Sequence, residues 1–149
     1  MNRGKQKQVM TPGKNVKRYL CGALDAASGR LDYVAGDRKN SLLFIAMLQK
    51  LLKGYATAKV IHVVLDNFKI HDSQQVRTWL EQHGARLRLH FLPPYCPDNN
   101  KIERAWEDLH ANVTRNHCCS TIEELMKQVI AWVARRNRSL ASHPCKRAA

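Results

Sequence analysis

The sequences VVLDNFKIHD, residues 63–72, and LRLHFLPPYCPDNNKIERAW, residues 87–106, decide the fold of this chain. The first is an apolar, β-branched strand that ends in an acid, Asp66. The second is a strand followed by a Pro-rich turn and by a helix that opens with another acid, Glu103. This arrangement can bring both carboxylates to one end of a sheet, where hard divalent cations bind oxygen ligands. A metal-dependent nuclease or phosphoryl-transfer site is therefore our first hypothesis.

Local patterns around these two blocks predict an α/β domain with a mixed sheet. The predicted order is a hairpin of strands 18–24 and 30–35, a helix from 40 or 41 to 54, a strand at 59–65, a helix at 73–83, a strand at 86–92, and helices from 100 to about 114 and from 121 to about 136. The strand at 59–65 is almost continuously apolar, which is typical of burial on both faces. The strand at 86–92 alternates basic and apolar residues, so we expect it to be half exposed.

The length of 149 residues is that of a single domain with a real core. Residues 1–17 are polar and basic, and we expect them to form an irregular lead-in. Residues 18–138 form the predicted domain, and residues 139–149 form a basic tail that we expect to be frayed.

The charge is the strongest feature of the composition. Twenty-five Lys and Arg against 12 Asp and Glu give a net charge of +13. Such a field favours a polyanionic partner, above all nucleic acid. The alternative is a ribosomal-type or merely solvated basic surface.

The cysteines and the N-terminus predict a soluble chain in a reducing, intracellular compartment. The five cysteines are irregularly spaced, and no secretory segment precedes them, so we expect free thiols: Cys21, Cys96, Cys118, Cys119 and Cys145. No CxxC-type pair supports a zinc site. No apolar run approaches the ~18 residues of a membrane span.

Each acid also has a structural interpretation. Asp66 lies where ligands gather in open α/β sheets, but Asp66-Asn67 is also good turn chemistry. Glu103 follows Asn100 at capping-box spacing, so its side chain could bond the Asn100 N–H instead of a metal. Two acids in a basic protein fit two-metal phosphodiester chemistry, although such sites want three or more carboxylates around cations ~4 Å apart.

Three further features lie beside the acids. His71 is a candidate for contacting a phosphate or positioning water, with an ordinary surface histidine as the alternative. Arg104, on the helix of Glu103, is a candidate phosphate contact. The Pro-rich segment 92–97 can fix the approach of that helix, or it can be a rigid turn with no further role.

Taken together, these residues resemble a known family. The pattern DNxxxHxS is carried by Asp66, Asn67, His71 and Ser73, and the pattern LPPYxPxxNxIErxW runs through residues 92–106. Both resemble the endonuclease domain of DDE-superfamily transposases, in particular those of mariner-related bacterial insertion sequences. The similarity extends over nearly the whole chain, including QKQVMTPGKN at residues 6–15.

The resemblance implies a ribonuclease H-like fold and Mg²⁺-dependent cut-and-paste chemistry, with Mn²⁺ as a substitute metal. Asp66 matches the second catalytic and metal-binding acid of the family, and Glu103 matches the third. Asn67, His71, Asn100 and Arg104 are then expected to support the site or to contact DNA. The implied partners are transposon ends, target DNA and a second copy of the chain, with no membrane, in the bacterial cytoplasm near the nucleoid.

The sequence departs from the family pattern at several positions. Asn99, Lys101 and Cys96 replace more usual residues without removing an acid. The family's first catalytic Asp lies on a central first strand, upstream of the segment that resembles residues 6–15, and none of Asp25, Asp32 and Asp37 matches its motif. We therefore expect the C-terminal part of a transposase, from a truncated, frameshifted or split gene. Such a chain would be marginally stable or self-associating and would not join strands unaided.

Two other functions remain as alternatives. The chain could be a non-catalytic DNA-binding module whose Lys and Arg contact phosphates. A ribonuclease H-like resolvase or exonuclease is the third, and the PPYxP block speaks against it.

Overall fold

A computed structural model describes residues 16–93 and 100–142 of the chain. It forms two compact units, one of Arg18–Ala105 and one to which the described part of Trp106–Ala149 belongs. The elements are β1 (Tyr19–Leu24), β2 (Leu31–Gly36), α1 (Ser41–Gly54), β3 (Ile61–Leu65), α2 (Gln74–His83), β4 (Leu87–Phe91), α3 (Ile102–Leu109) and α4 (Ile122–Ser142). In this described part, no helix has the length and apolarity needed to cross a membrane.

The predicted hairpin is present, with β1 and β2 antiparallel and paired from Tyr19↔Gly36 to Leu24↔Leu31. Its turn is held by Asp25, whose Oδ1 accepts hydrogen bonds from the Ala27 N–H at 2.8 Å and the Ser28 N–H at 3.3 Å. Gly29 adopts φ 73°, a conformation that glycine reaches without steric cost. The hairpin therefore follows from local turn chemistry.

We expect Asp25→Ala to lower the free energy of unfolding at pH 7 by about 0.5–1 kcal/mol, since the carboxylate is only partly buried and solvent screens its charge. Burial acts to raise the pKa of Asp25, but the hydrogen bonds from Ala27 and Ser28 outweigh it, and the pKa is lowered from 3.8. Because the pKa of Asp25 is lower in the folded state than in the unfolded state, its carboxylate stabilises the fold at pH values above the unfolded-state pKa. This stabilisation is lost as the pH falls through the folded-state pKa. Urea denaturation at pH 7 and at pH 3 measures the difference.

In that experiment the difference in free energy of unfolding between wild type and Asp25→Ala should become smaller as the pH falls below 3.8, the ordinary pKa of an aspartate. Asp25→Asn is the matched control, because it keeps an acceptor oxygen for the turn and loses the charge. A gap that is the same at both pH values would contradict the role of the ionised carboxylate.

The core of the first unit lies where α1 and α2 pack on the β3–β4 pair. The helix α1 begins after Asn40, whose side chain accepts from the Leu43 N–H, as the sequence predicted. The α2 helix begins after Ser73, also as predicted. The core consists of six buried residues: Phe44, Ile45, Leu48, Leu65, Val76 and Leu87. Local capping and helical periodicity therefore place both helices correctly.

The strands β3 and β4 are parallel, in register from Ile61↔Leu87 to Leu65↔Phe91. The prediction that β3 is buried on both faces is wrong, because His62 and Val64 are exposed, the latter by 58%. His62 Nδ1 lies 2.9 Å from His90 Nε2 across the two strands on that face. The strand therefore has one apolar face and one exposed face, and its run of valines does not indicate burial on both faces.

The predicted single mixed sheet is observed as two separate two-stranded sheets, β1–β2 and β3–β4. Among the described residues, no strand pairs with β1 other than β2, or with β3 other than β4. Within residues 16–93 and 100–142, each sheet thus has edges that pair with no further strand. The strand types and their orientations agree with a mixed α/β fold.

In the second unit, α4 continues to Ser142 and so passes the predicted end near residue 136. Its start is capped, since Thr121 Oγ1 accepts from the Glu124 N–H at 3.1 Å and Glu124 Oε2 accepts from the Ser120 N–H at 2.9 Å. The hydrogen bonds from Ser120 lower the pKa of Glu124. Buried residues recur at helical spacing along α4: Val129, Trp132 and Val133. The predicted helix from residue 100 is α3, followed by a π-helical turn at His110–Thr114.

The described cysteines Cys21, Cys118 and Cys119 are free thiols, as predicted, while Cys96 and Cys145 lie outside the described residues. Burial raises the pKa of Cys21 to about 11, although nearby Lys39 acts to lower it. At pH 8 about one Cys21 thiol in a thousand is then ionised, and the thiolate is the reactive form.

We expect iodoacetamide at pH 8 to alkylate the exposed Cys118 well before Cys21 or the buried Cys119. Peptide mass spectrometry over time measures each rate. Labelling in 8 M urea is the control, and there the three rates should converge. Equal rates in the folded protein would show that burial does not protect Cys21.

Candidate active site

Asp66 follows the last residue of β3, at the carboxyl end of the parallel strand pair. Its Oδ1 accepts from the Phe68 N–H at 3.2 Å and lies 3.0 Å from His71 Nδ1. The side chain is 55% exposed, and its Oδ2 takes no hydrogen bond from any residue in the described ranges. Asp66 therefore shapes the turn, as one interpretation predicted, and still presents one carboxylate oxygen to solvent.

His71 is held in place rather than displayed on the surface. Its side chain is 19% exposed, and its ring centroid lies 4.5 Å from that of the buried Phe44 and 6.0 Å from that of Phe68. His71 Nδ1 contacts both Asp66 Oδ1, at 3.0 Å, and the Asp66 carbonyl oxygen, at 3.2 Å. The histidine thus fixes the orientation of the Asp66 carboxylate.

Asn67 ties the ends of the two strands together. Its Nδ2 donates to the Leu92 carbonyl oxygen at 2.5 Å, beside the backbone bond from the Leu92 N–H to the Leu65 carbonyl oxygen at 2.8 Å. The chain that leaves β4 toward the Pro-rich segment therefore starts from a fixed point.

Ser73 completes this sequence block. Its Oγ accepts from the Val76 N–H at the start of α2 and lies 2.8 Å from Ser41 Oγ at the start of α1. No local pattern predicts the Asn67–Leu92 and Ser73–Ser41 contacts, because both join residues far apart in the chain.

Glu103 lies in the first turn of α3, as predicted, and is exposed. Its N–H donates to the Asn100 carbonyl oxygen at 3.0 Å. The predicted capping-box bond from the Glu103 side chain to the Asn100 N–H does not occur among the described residues. Arg104 is exposed on the same helix. The Pro-rich turn, at residues 94–99, lies outside the described ranges, together with Cys96 and Asn99.

The structure does not record a contact between Asp66 and Glu103. Within residues 16–93 and 100–142, no group of three or more His, Cys, Asp or Glu side chains could hold a metal ion. Asp66 and Glu103 have the hard oxygen donors that Mg²⁺ prefers. These two described acids are nevertheless fewer than the three or more carboxylates that a two-cation site wants.

Other acids of the first unit are engaged in different contacts. Asp25 holds the hairpin turn and accepts from the Tyr55 hydroxyl at 3.3 Å. Asp32 pairs with Arg30 at 3.1 Å, and Asp37 pairs with Arg18. None of the three lies at the carboxyl end of β3, where Asp66 stands.

Comparison with known proteins decides the family. The sequence profile described as "DDE superfamily endonuclease" matches residues 1–138. This chain belongs to the DDE superfamily of endonucleases. The family resemblance predicted from the two sequence blocks is therefore confirmed. A divalent metal is typical of this family, and so is DNA as the substrate.

The chain is 43% identical over 127 residues to the "Insertion element IS630 uncharacterized 39 kDa protein" of Shigella sonnei. The match covers 85% of this chain and 37% of the relative. The chain thus spans little more than a third of the length of that protein. The relation to bacterial insertion elements, predicted from the sequence, is confirmed.

Solved structures agree on the fold. The simian T-cell lymphotropic virus intasome, solved in complex with PP2A regulatory subunit B56 gamma, matches 87% of this chain and 51% of the matched chain, with a TM-score of 0.59 and 15% identity. The catalytic core domain of BIV integrase matches 87% of this chain and 77% of its own, with a TM-score of 0.53 and 20% identity. The DDE endonuclease therefore has a mixed α/β, ribonuclease H-like fold similar to the retroviral integrase core.

Proposed function

We propose that this DDE endonuclease is the catalytic domain of a DNA transposase of the insertion-sequence type, which cuts transposon ends and joins them to target DNA. The observation that carries the proposal is Asp66, held at the carboxyl end of β3 by His71 and by the Phe68 N–H, with Oδ2 open to solvent. Membership of the DDE family and a relative from a bacterial insertion element support it. The net charge of +13 suits a DNA substrate in the bacterial cytoplasm.

In this proposal, Asp66 and Glu103 bind the catalytic Mg²⁺, for which Mn²⁺ can substitute. The bound metal would activate the attacking hydroxyl and stabilise the leaving oxygen. His71 fixes the Asp66 carboxylate, and Asn67 fixes the exit of the chain from β4 toward the helix of Glu103. Asn100 and the exposed Arg104 then support that helix and contact DNA phosphates.

We further propose that residues 1–149 by themselves bind DNA without cutting it. Two acids match the family motif, whereas a site for two cations ~4 Å apart wants three or more. The open edges of β1 and β3 support the idea that a central strand, not among the described residues, completes the sheet and supplies the remaining acid. A synaptic homodimer is the expected active assembly.

A chimera tests the function. This chain replaces the 127 matched residues of the 39 kDa Shigella protein, and the chimera is mixed with DNA that carries the ends of that insertion element. We expect Mg²⁺-dependent cleavage at the ends by the chimera and none by residues 1–149 alone. Efficient cleavage and joining by this chain alone would overturn the incomplete-site proposal. An intact but inactive chimera would favour the alternative, a non-catalytic DNA-binding module that acts through its positive charge.

A further inference from the structure

Two phenylalanines are half exposed at the same end of the β3–β4 pair as Asp66. Phe91, the last residue of β4, is 42% exposed, and Phe68, two residues after Asp66, is 40% exposed. Single exposed apolar residues are common on protein surfaces, and aromatic residues are enriched where a surface contacts a partner. Lys39 Nζ lies 4.0 Å from the centroid of the Phe68 ring, so a cation accompanies the aromatic surface.

A cleft of about 600 Å³ opens beside the Phe91 ring, and the described residues that line it are Asn67, Lys69, Asp72 and Phe91. Cavities of about 300–1,000 Å³ hold ligands of the size of a nucleotide. The described part of the lining therefore offers an aromatic ring, an amide, an ammonium and a carboxylate.

The charge of the cleft favours an anionic ligand. Arg77 binds the carboxylate of Asp72 through two hydrogen bonds, from Nε to Oδ1 at 2.8 Å and from Nη2 to Oδ2 at 2.5 Å. Arg77 thereby lowers the pKa of Asp72 and neutralises its charge. Lys69, in contrast, forms no hydrogen bond or ion pair with any residue of the described ranges, so its ammonium can bind a phosphate.

We propose that this cleft binds one unpaired nucleotide of the DNA substrate, with its base stacked on Phe91 and its phosphate paired with Lys69. The proposal rests on the proposed function only in that DNA is the substrate. Aromatic side chains next to free cations are the usual way in which proteins hold single-stranded nucleic acid, since every base has a face that can stack. A paired base inside a duplex has both faces covered by its neighbours, so Phe91 discriminates against intact duplex.

The test measures binding without Mg²⁺, so cleavage plays no part in it. Fluorescence anisotropy gives the affinity of the chain for a 12-nucleotide single strand and for the duplex of the same sequence. We expect Phe91→Ala to weaken single-strand binding about five- to a hundredfold and duplex binding less than about twofold, as base–aromatic stacking predicts. Phe91→Trp, which keeps an aromatic ring, should bind the single strand about as tightly as the wild type does. Lys69→Ala should reduce the slope of log affinity against log salt by about one for the single strand and by less for the duplex.

Leu42→Ala is the matched control, since Leu42 is an exposed apolar residue, 58% accessible, on α1. Thermal unfolding of each variant confirms that it is folded. Equal weakening of single-strand and duplex binding by Phe91→Ala, or no weakening of either, would overturn the proposal. If the chimera cleaves DNA and the wild-type chain shows no Phe91-dependent preference for single strands, the cleft inference alone fails. If the preference is present and the chimera is inactive, the proposed catalysis alone fails.

Discussion

Asp66→Ala, made in the chimera with the Shigella protein, is expected to lower Mg²⁺-dependent DNA cleavage by about a thousandfold or more. Asp66 is the described carboxylate at the carboxyl end of β3, and its Oδ2 is open to solvent. Stabilisation by a bound metal is worth several kcal/mol, and about 1.4 kcal/mol changes a rate tenfold. A DNA nicking assay with the insertion-element ends measures the loss.

DNA affinity separates a catalytic role of Asp66 from a structural one. Removing one negative charge should leave affinity unchanged or slightly stronger, because the carboxylate repels phosphates when no metal is bound. Asp37→Asn is the matched control, since Asp37 is 76% exposed, pairs with Arg18 and lies before α1. It should cleave at the wild-type rate. Asp66→Ala that cleaves normally, or Asp37→Asn that is equally inactive, would contradict the assignment of Asp66.

Local features of this fold were predictable because their causes lie within a few residues. Asn40 and Ser73 cap α1 and α2 through bonds to residues three positions later. Gly84 ends α2, where a Cβ would lie 2.6 Å from the Leu80 carbonyl oxygen. Asp66 and Glu103 were also located correctly, at a strand end and in a first helical turn. A strand followed by an acid, and a turn followed by a helix, are both local patterns.

The features that the sequence could not predict depend on residues far apart in the chain. The strand β3 exposes His62 and Val64, although a run of valines is typical of double-sided burial. The hydrogen bond from Asn67 to the Leu92 carbonyl oxygen joins the two motif blocks, and neither block alone predicts it. The meeting of Asp66 with Glu103 stays a prediction, because the intervening turn lies outside the described residues.

Arg86 is the clearest case of a role hidden from the sequence. It begins an alternating segment and was expected to be one of its exposed basic residues. Instead, its guanidinium donates to four carbonyl oxygens at and beyond the C-terminal end of α1, at 2.9–3.2 Å: Leu52, Tyr55, Ala56 and Ala58. A cation at this end of a helix also complements the helix dipole. Arg86 therefore joins α1 and its following turn to the start of β4.

We expect Arg86→Ala to lower the free energy of unfolding by about 2–4 kcal/mol, since hydrogen bonds from a charged donor are each worth about 1.5–3 kcal/mol and the freed carbonyls regain only part of this from water. Arg86→Lys should lose roughly half as much, because an ammonium cannot reach all four oxygens with the spread of a guanidinium. Urea denaturation at pH 7, followed by circular dichroism, measures both values.

Arg88→Ala is the matched control, because Arg88 is the same residue type two positions along and bonds only to the nearby Ala85 and Leu87 carbonyl oxygens. Its loss should cost less than about 1 kcal/mol, as for an exposed side chain. Equal destabilisation by Arg86→Ala and Arg88→Ala would mean that charge alone matters at this position. A larger loss for Arg86→Ala would mean that one long-range side chain fixes the end of α1 against the strand pair. Arg86 lies at the amino end of this parallel strand pair and Asp66 at its carboxyl end, so the anchor would act on the stability of the fold and not directly on the candidate site.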